Sequence, residues 1–340
     1  MTSTSMQTTS SFSSKALDID AEAITREIAA AIREIVFHRL HRRGAVVGLS
    51  GGIDSSVTAA LCVEALGKER VLGLLMPEDE SSKESMSLGT QLADRLGIGY
   101  VVEDIGPTLK ALRCYERRDE AIRKVIPEYG SGWKSKIVLP DLVNSSTYAL
   151  YSVVAQSPHG ETRRVRLTAE SYLAVVAATN FKQRTRKMLE YHHADRLWYA
   201  VAGTPNRLEY AQGFFVKNGD GAADFKPIAH LYKSQVVQLG KCLGVPDEIL
   251  RRPPTTDTYS LEQSQEEFYF SLPLTTMDLC LYARNHQVSA SNVADATGLS
   301  VGQVERVYAM IDSKLSSTRY LHLHAQLVQK IDEVDASGPD

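Results

Sequence analysis

Apolar residues recur along this chain in two rhythms. Ile24, Ile28, Ile32 and Ile35 stand near helical spacing and predict an amphipathic helix over 20–40. Ala45-Val46-Val47 is a continuous apolar run, a strand reaching 49. Val57, Ala60, Leu61 and Ala65 then mark one side of a helix over 55–66. Val71 to Met76 predicts a second strand, Leu88, Leu92 and Leu96 a helix, and Ile98 to Val102 a third strand. Leu197 to Ala202 reads as a later strand ending at Gly203-Thr204. Strands apolar on both faces, alternating with helices, predict an α/β fold with a doubly wound parallel sheet and flanking helices. Ligands bind such sheets at the carboxyl ends of the strands. The turn after the first strand and the Gly203-Thr204 turn both lie at such ends.

Residues 107–168 break the rhythm and read as one insertion. Within it, Tyr148 to Val154 and Arg163 to Leu167 predict a hairpin around Pro158-His159-Gly160. The rest reads as a single domain over 16–340, with a helical C-terminal part over 275–335. Residues 1–15 are Ser/Thr-rich and predict a disordered tail.

The most informative stretch is Gly48-Leu49-Ser50-Gly51-Gly52-Ile53-Asp54-Ser55-Ser56. A strand runs into a glycine turn and then a helix N-terminus, which gathers unpaired amides and the positive end of the helix dipole. Glycines without Cβ let a phosphate approach the backbone, and Ser50, Ser55 and Ser56 add hydroxyl donors. Asp54 would repel phosphate, a conflict removed by a metal ion between them. No lysine follows the glycines, so this is not the common phosphate loop.

Ser-Gly-Gly-x-Asp-Ser resembles the pyrophosphate loop of ATP pyrophosphatases, whose fold is of the adenine nucleotide α-hydrolase type. A second block narrows the resemblance to the NAD synthetases. Asn180, Arg184 and Arg186 match their Asn-x-x-x-Arg-x-Arg pattern. Thr204 with Glu209 matches a Gly-Thr followed five residues later by Glu. Lys217, Gly219, Asp220 and Asp224 match Lys-x-Gly-Asp-Gly-x-x-Asp, and Lys233, Thr255 and Asp257 match the motifs that follow. Met76-Pro77 and Ser81-Ser82 also look like the stretch after the family's second strand. Two segments depart from the pattern: 258–270, and Lys314-Leu315 where the family often has Lys-Arg. Both bear on the acceptor side.

The resemblance implies a ligase that adenylates the carboxylate of deamido-NAD and transfers ammonia to it, giving NAD, AMP and pyrophosphate. A related amide ligase acting on another carboxylic acid is the alternative. The resemblance implies ATP and Mg²⁺ as cofactors and catalytic roles for Asp54, Lys233 and Asp220. ATP would lie against Gly48, Ser50, Gly51, Gly52, Asp54, Ser55, Ser56, Thr204, Lys233 and Thr255, with the metal on Asp54 and Glu209. The acceptor would meet Asn180, Arg184, Arg186, Lys217, Asp220 and Asp224. It also implies a homodimer, for which Phe268-Tyr269-Phe270 and an exposed-looking Tyr191 add sequence support. No glutaminase portion is apparent, so free ammonia or a separate ammonia-supplying partner is expected.

Composition adds exclusions. Across 340 residues the net charge is −3, which gives no reason to expect a nucleic-acid partner. No apolar run approaches the ~18 residues of a membrane span, and a cytoplasmic protein is expected. Cys62, Cys114, Cys242 and Cys280 lack zinc or redox spacing, and Cys62 and Cys242 read as buried small hydrophobes. His192-His193 and His322-x-His324 lack an evident third metal ligand. Residues 288–304 read like a helix-turn-helix with Gly298 at the turn, but the following helix carries only Arg306 as a base. That is too little charge for a DNA-binding regulator. A tRNA-modifying relative would need basic surfaces or catalytic cysteines, and neither is in evidence.

Overall fold

The computed structural model describes residues 12–139, 151–255, 258–329 and 331. In chain order the strands are β1 (Ala45–Gly48), β2 (Val71–Leu75), β3 (Gly99–Val102), β4 (Lys134–Val138), β5 (Ser152–Gln156), β6 (Thr162–Arg166) and β7 (Ala200–Ala202). One sheet is all-parallel in the order β3-β2-β1-β7. The other is antiparallel, β4-β5-β6.

Successive residues of a strand point to opposite faces, and the sheet's two cores divide accordingly. Ala45 and Val47 of β1, Val71 and Leu75 of β2, and Ala200 and Ala202 of β7 enter one core. Val46, Leu74 and Val201 enter the other. The first core is closed by α1 (Ala21–Arg33), α2 (Ile53–Leu66) and α3 (Lys83–Leu96). The second is closed by α4 (Gly106–Ala111), α5 (Cys114–Arg123) and α6 (Ala169–Leu197). α6 has 29 residues and is therefore roughly 43 Å long. It runs under both sheets and carries side chains to both.

Leu197 and Trp198, expected in the last strand, end this helix instead. Trp198 takes φ 60° as its C-cap and donates its N–H to the Ala194 and Asp195 carbonyls. Beyond β7 come α7 (Arg207–Gln212), α8 (Lys233–Cys242) and α9 (Asp247–Arg251), then α10 (Leu274–Asn285), α11 (Ala290–Thr297) and α12 (Val301–Thr318). α10 to α12 build a separate apolar cluster around Met277, Cys280, Leu281, Val304 and Ile311.

Phe12 packs against that cluster and stacks on Tyr282 at 6.3 Å, and residues 14–17 form a 3-10 turn. Residues 12–15 are thus ordered, contrary to the expected tail. The apolar ring of Phe12 has a core to enter. Cys62 is buried as expected, but Cys242 is exposed, because it lies in the last turn of α8 beyond the packed face. The hairpin expected around 158–160 is β5-β6. The residues of β4 pair with β5 from Lys134↔Gln156 to Val138↔Ser152, making the segment a three-stranded sheet. No described helix is long and apolar enough to cross a membrane.

Candidate active site

β1 ends at Gly48, and the Leu49 N–H donates to the Leu74 carbonyl at 2.8 Å, which holds the loop in line with the sheet. Gly51 then takes φ +72°, and a Cβ there would lie 2.6 Å from the Ser85 carbonyl oxygen. Gly51 is thus required by close packing on α3. Gly52 is the N-cap of α2, and its N–H donates to Ser50 Oγ at 3.3 Å. The amides of Ile53, Asp54 and Ser55 occupy the first turn, where no helical acceptor exists. They face a cleft of about 710 Å³ lined by Gly48, Ser50, Gly52, Asp54 and Ser55.

Ser56 departs from expectation. Its side chain is fully buried, and its hydroxyl donates to the Gly52 carbonyl at 2.8 Å, the back-bond of a helical serine. It shapes the turn and does not face the cleft.

Three charged groups converge at this helix start. Lys233 Nζ donates to Asp54 Oδ2. Asn206 Nδ2 donates to Asp54 Oδ1 at 3.2 Å. Glu209 accepts from the Asn206 N–H at 3.1 Å and from Gln265 Nε2 at 2.9 Å. Burial and the neighbouring Asp54 charge push the Glu209 carboxyl up to about 8. Burial opposes the Lys233 charge, but Asp54 and Glu209 outweigh it and raise its pKa. Asp278, buried on α10, accepts the Lys233 N–H at 3.1 Å and the Ser234 N–H at 2.7 Å, fixing the start of α8.

Asn206, Gln265 and Asp278 were missed in the sequence. Asn206 did leave a signal: Asn206-x-x-Glu209 is a capping-box pattern, and the box is formed at α7. Glu209 is therefore both a helix-start carboxylate and a neighbour of Asp54.

Thr204 and Thr255 line the same cleft, as does Arg252, which donates to Ser82 Oγ and Ser85 Oγ at 3.1 Å each. Asp257 lies outside the described residues. On the other side the cleft is bounded by Asn180, Gln183, Arg184 and Arg186 of α6. Arg184 Nε donates to the Lys217 carbonyl at 3.3 Å, and Arg186 Nε to the Met76 carbonyl at 3.4 Å. Asp220 also lines the cleft and accepts the Val216 N–H at 2.7 Å, and burial raises its pKa.

Two expected acceptor contacts are committed elsewhere. Lys217 borders the cleft, but its ammonium donates to the Tyr320 and Leu323 carbonyls at 2.9 and 3.0 Å, tying down the C-terminal segment. Asp224 accepts the Val201 N–H at 2.7 Å and the Tyr191 hydroxyl at 3.2 Å, and stands outside the cleft lining. It joins the loop to β7.

The remaining wall is aromatic. Tyr151 and Tyr172 stack at 4.2 Å, Phe214 and Tyr269 at 4.6 Å, and Phe268 adjoins them. Phe270 is fully buried, so the aromatic run 268–270 packs within the chain. Tyr191 is half-buried with its hydroxyl bonded. Neither feature supports an assembly. α11, Gly298 and α12 do form a helix-turn-helix, but the end of α12 supplies Lys314, Ser317 and Thr318 to the cleft wall. Among the described residues no cluster of three His, Cys, Asp or Glu could hold a metal by itself. His193 instead pairs with Glu103 at 2.9 Å.

Residues 24–126 and 150–317 match the model of the family described as NAD synthase. The interior break, 127–149, is narrower than the insertion expected over 107–168. The chain is 57% identical over 324 residues to the "NH(3)-dependent NAD(+) synthetase" of Rhizobium meliloti (strain 1021), covering 95% of this chain and 97% of the relative. Its fold is similar to that of an NH3-dependent NAD synthetase from Campylobacter jejuni, with TM-score 0.60, 23% identity, and coverage of 92% and 100%. It is also similar to that of an NMN synthetase from Francisella tularensis, with TM-score 0.62, 23% identity, and coverage of 91% and 99%. With a pyrophosphate-type loop at the end of β1 and a family match over most of its length, the chain belongs to the NAD synthase family.

Proposed function

We propose that this chain converts deamido-NAD, ammonia and ATP to NAD, AMP and pyrophosphate. The observation that carries the reading is the meeting of Asp54, Lys233 and Glu209 at the amide-rich start of α2, in a cleft whose opposite wall is aromatic. The near-full-length relative of Rhizobium meliloti bears the matching name.

A carboxylate cannot exchange oxide for nitrogen directly, because oxide is a very poor leaving group. In the first step an acceptor carboxylate oxygen bonds the α-phosphorus of ATP, and the α–β bridging bond breaks with its electron pair leaving on pyrophosphate. The first-turn amides of α2 and the Lys233 ammonium face the charge that collects there. Thr204 and Thr255 offer hydroxyl donors to the nucleotide. In the second step ammonia bonds the acyl carbon, AMP leaves with the other electron pair, and the added nitrogen sheds a proton. The raised carboxyl of Asp220 suits it to take that proton. The Arg184 fork, with Asn180 and Arg186 beside it, is placed to hold acceptor oxyanions.

Asp54 and Glu209 are hard oxygen donors, and burial together with the Asp54 charge lifts the Glu209 carboxyl, so the pair fits a divalent cation. Mg²⁺ held there would neutralise charge on the departing pyrophosphate.

Incubation with ATP, deamido-NAD and ammonium, with chromatography of the nucleotides, tests the reaction. AMP and NAD in equal amounts are expected. ADP in place of AMP would overturn the mechanism. AMP release indifferent to deamido-NAD would overturn the acceptor, and a panel of carboxylic acids including nicotinic acid mononucleotide would then locate another.

Glu209→Gln separates a metal role from a capping role. An amide oxygen still accepts the Asn206 N–H, and the new amide N–H can meet the Gln265 carbonyl once that side-chain amide turns over, so thermal stability should hold. The Mg²⁺ concentration for half-maximal rate should rise at least about tenfold, since losing even an outer-shell partner of a metal ligand costs that much affinity. A titration overlaying the wild type would remove Glu209 from the metal site.

The assembly we favour is a homodimer. Leu173 and Met188 stand 63% and 59% exposed on α6 and give a second copy apolar surface to cover. A light-scattering mass near 37.5 kDa at full activity would exclude it. A reducing cytoplasm suits the four free thiols, and cell fractionation checks that placement.

A further inference from the structure

Lys187 and Glu190 stand one helical turn apart on α6, 5% and 7% exposed, and neither belongs to a motif matched in the sequence. Lys187 Nζ donates to Glu190 Oε2 at 2.5 Å. Glu190 Oε1 has no donor among the described residues. This second oxygen lies at the end of β1, where a Cβ on Gly48 would come within 2.9 Å of it. Glycine at 48 thus leaves the opening through which the carboxylate reaches the cleft, and Gly48 and Glu190 both line it. Lys187 stands behind, outside the lining.

A buried carboxylate oxygen without a donor is costly for the protein alone. A ligand that brings a donor to that point offsets the cost. Ionised phosphate oxygens bring none and are repelled. The first-turn amides of α2 suit the phosphates, and Asp54, Lys233 and Glu209 gather where the departing pyrophosphate is to be held. The nucleoside end of ATP then extends the other way, over the ends of β1 and β2. Leu74, Met76 and Pro77 form an apolar floor there, and Met76 Cε lies 3.4 Å from the same point beside Gly48. Such a floor suits a purine. The donors that a nucleoside carries nearest its phosphate are the two ribose hydroxyls, and a carboxylate accepting from ribose is a working arrangement in other α/β sheets.

We propose that Glu190 is a nucleotide-specificity residue, its free carboxylate oxygen accepting a ribose hydroxyl of ATP beside Gly48. Lys187 is the positioning residue that holds the other oxygen. The inference rests on the reading of ATP as the adenylating substrate. Glu190 forms no bond to the reacting atoms and acts by selecting a ribonucleotide over a deoxyribonucleotide.

The test measures pyrophosphate release by the full chain on ATP, 2′-deoxy-ATP and 3′-deoxy-ATP at saturating deamido-NAD and ammonium. Wild-type turnover of ATP comes first, and its failure would sink the reaction reading independently of Glu190. The wild type is expected to prefer ATP to at least one deoxy analogue by about tenfold or more in kcat/KM, the lower end for a hydrogen bond to a charged group. In Glu190→Gln the amide oxygen turns to the Lys187 ammonium, which leaves an N–H facing the cleft and no acceptor. Its kcat/KM for ATP should fall to that of the deoxy analogue, which should itself change less than about threefold. Glu190→Asp keeps the charge, withdraws the oxygen by one methylene and should lose the preference too. Lys187→Met combined with Glu190→Met strands no buried charge and carries the same comparison if the single variants unfold.

A wild type that uses all three nucleotides equally well overturns the proposal. So does a preference for ATP that survives in the folded variants. A raised KM for deamido-NAD or for ammonium, with the preference intact, overturns it as well and assigns the free oxygen to the acceptor's ribose or to the nitrogen source.

Discussion

Replacing Asp54 by Asn is expected to lower turnover at least about a hundredfold, the usual loss when an essential electrostatic group is removed from a water-poor site. The substitution keeps size and shape. Its remaining oxygen still accepts from Asn206 Nδ2, so the loop and the start of α7 keep their tie. What disappears is the charge that faces Lys233 and Glu209. Without it a cation between the two carboxylates loses one of its ligands. With the Asp54 repulsion gone, the Glu209 carboxyl ionises more readily beside the Lys233 ammonium, so folding should survive. Initial rates at saturating Mg²⁺, with circular dichroism as the control, decide the matter. Near-full turnover in a folded variant would reduce Asp54 to a loop-shaping residue.

The parts of the fold legible in the sequence are those fixed by local periodicity. β1 and β2 are apolar at every position because both faces of their sheet are covered, and a run such as Ala45-Val46-Val47 signals that directly. The limit of such reading is visible at Leu197-Trp198. The run looks like the start of a strand, yet the first residue closes α6 and the second turns the chain with a positive φ. Nothing local distinguishes the two outcomes, since large apolar residues suit either. β4 was harder still. Lys134-Ser135-Lys136-Ile137-Val138 becomes a strand through pairing with β5 at long range.

At the site, the backbone was more legible than the side chains. A glycine turn between strand and helix dictates where amides point, and Asp54, Ser55 and Gly52 face the cleft accordingly. Whether a hydroxyl or ammonium is free depends on what lies opposite it in space. Ser55 and Ser56 are adjacent and both hydroxyls bond back to the Gly52 carbonyl, yet Ser55 lines the cleft and Ser56 is fully buried away from it. Lys217 matches a binding motif, and its ammonium serves carbonyls more than 100 residues away in sequence. Asp278 leaves no signal, because its partners at 233 and 234 are found only when α10 folds against α8. Motif spacing reports which residues reach one end of the sheet. It does not report how the charges are shared once there.

The largest stability effect is expected at another residue without a sequence signal. Lys182 lies within the family-matched part of α6, and its side chain is 0% exposed. Its ammonium donates to Glu78 Oε1 at 2.9 Å, Glu80 Oε2 at 2.6 Å and the Thr258 carbonyl at 2.9 Å. Arg118 of α5 closes on Glu80 at 2.6 and 2.8 Å, and the Tyr115 hydroxyl donates to Glu78 at 2.6 Å. One cation thus joins the loop after β2, α6 and the stretch that carries the aromatic wall. Burial favours a neutral Glu78, but Lys182 outweighs it and holds the carboxyl below its ordinary range. Lys182→Met leaves Glu78 buried with only the Tyr115 hydroxyl and the Glu80 N–H as donors and no cation of its own, and Glu80 with Arg118. Breaking a buried pair from one side costs about 3–5 kcal/mol, because the stranded charge has nowhere to go. For a domain of this size that corresponds to a Tm lower by roughly 5–15 °C. Adding Glu78→Gln to Lys182→Met removes the stranded charge and should recover part of the loss, since the two sites are coupled. Thermal unfolding of the wild type, the single variant and the double variant at pH 7 tests this. A single variant within about 2 °C of wild type, or a double variant less stable than the single, would mean that the cluster is not held together by the Lys182 charge.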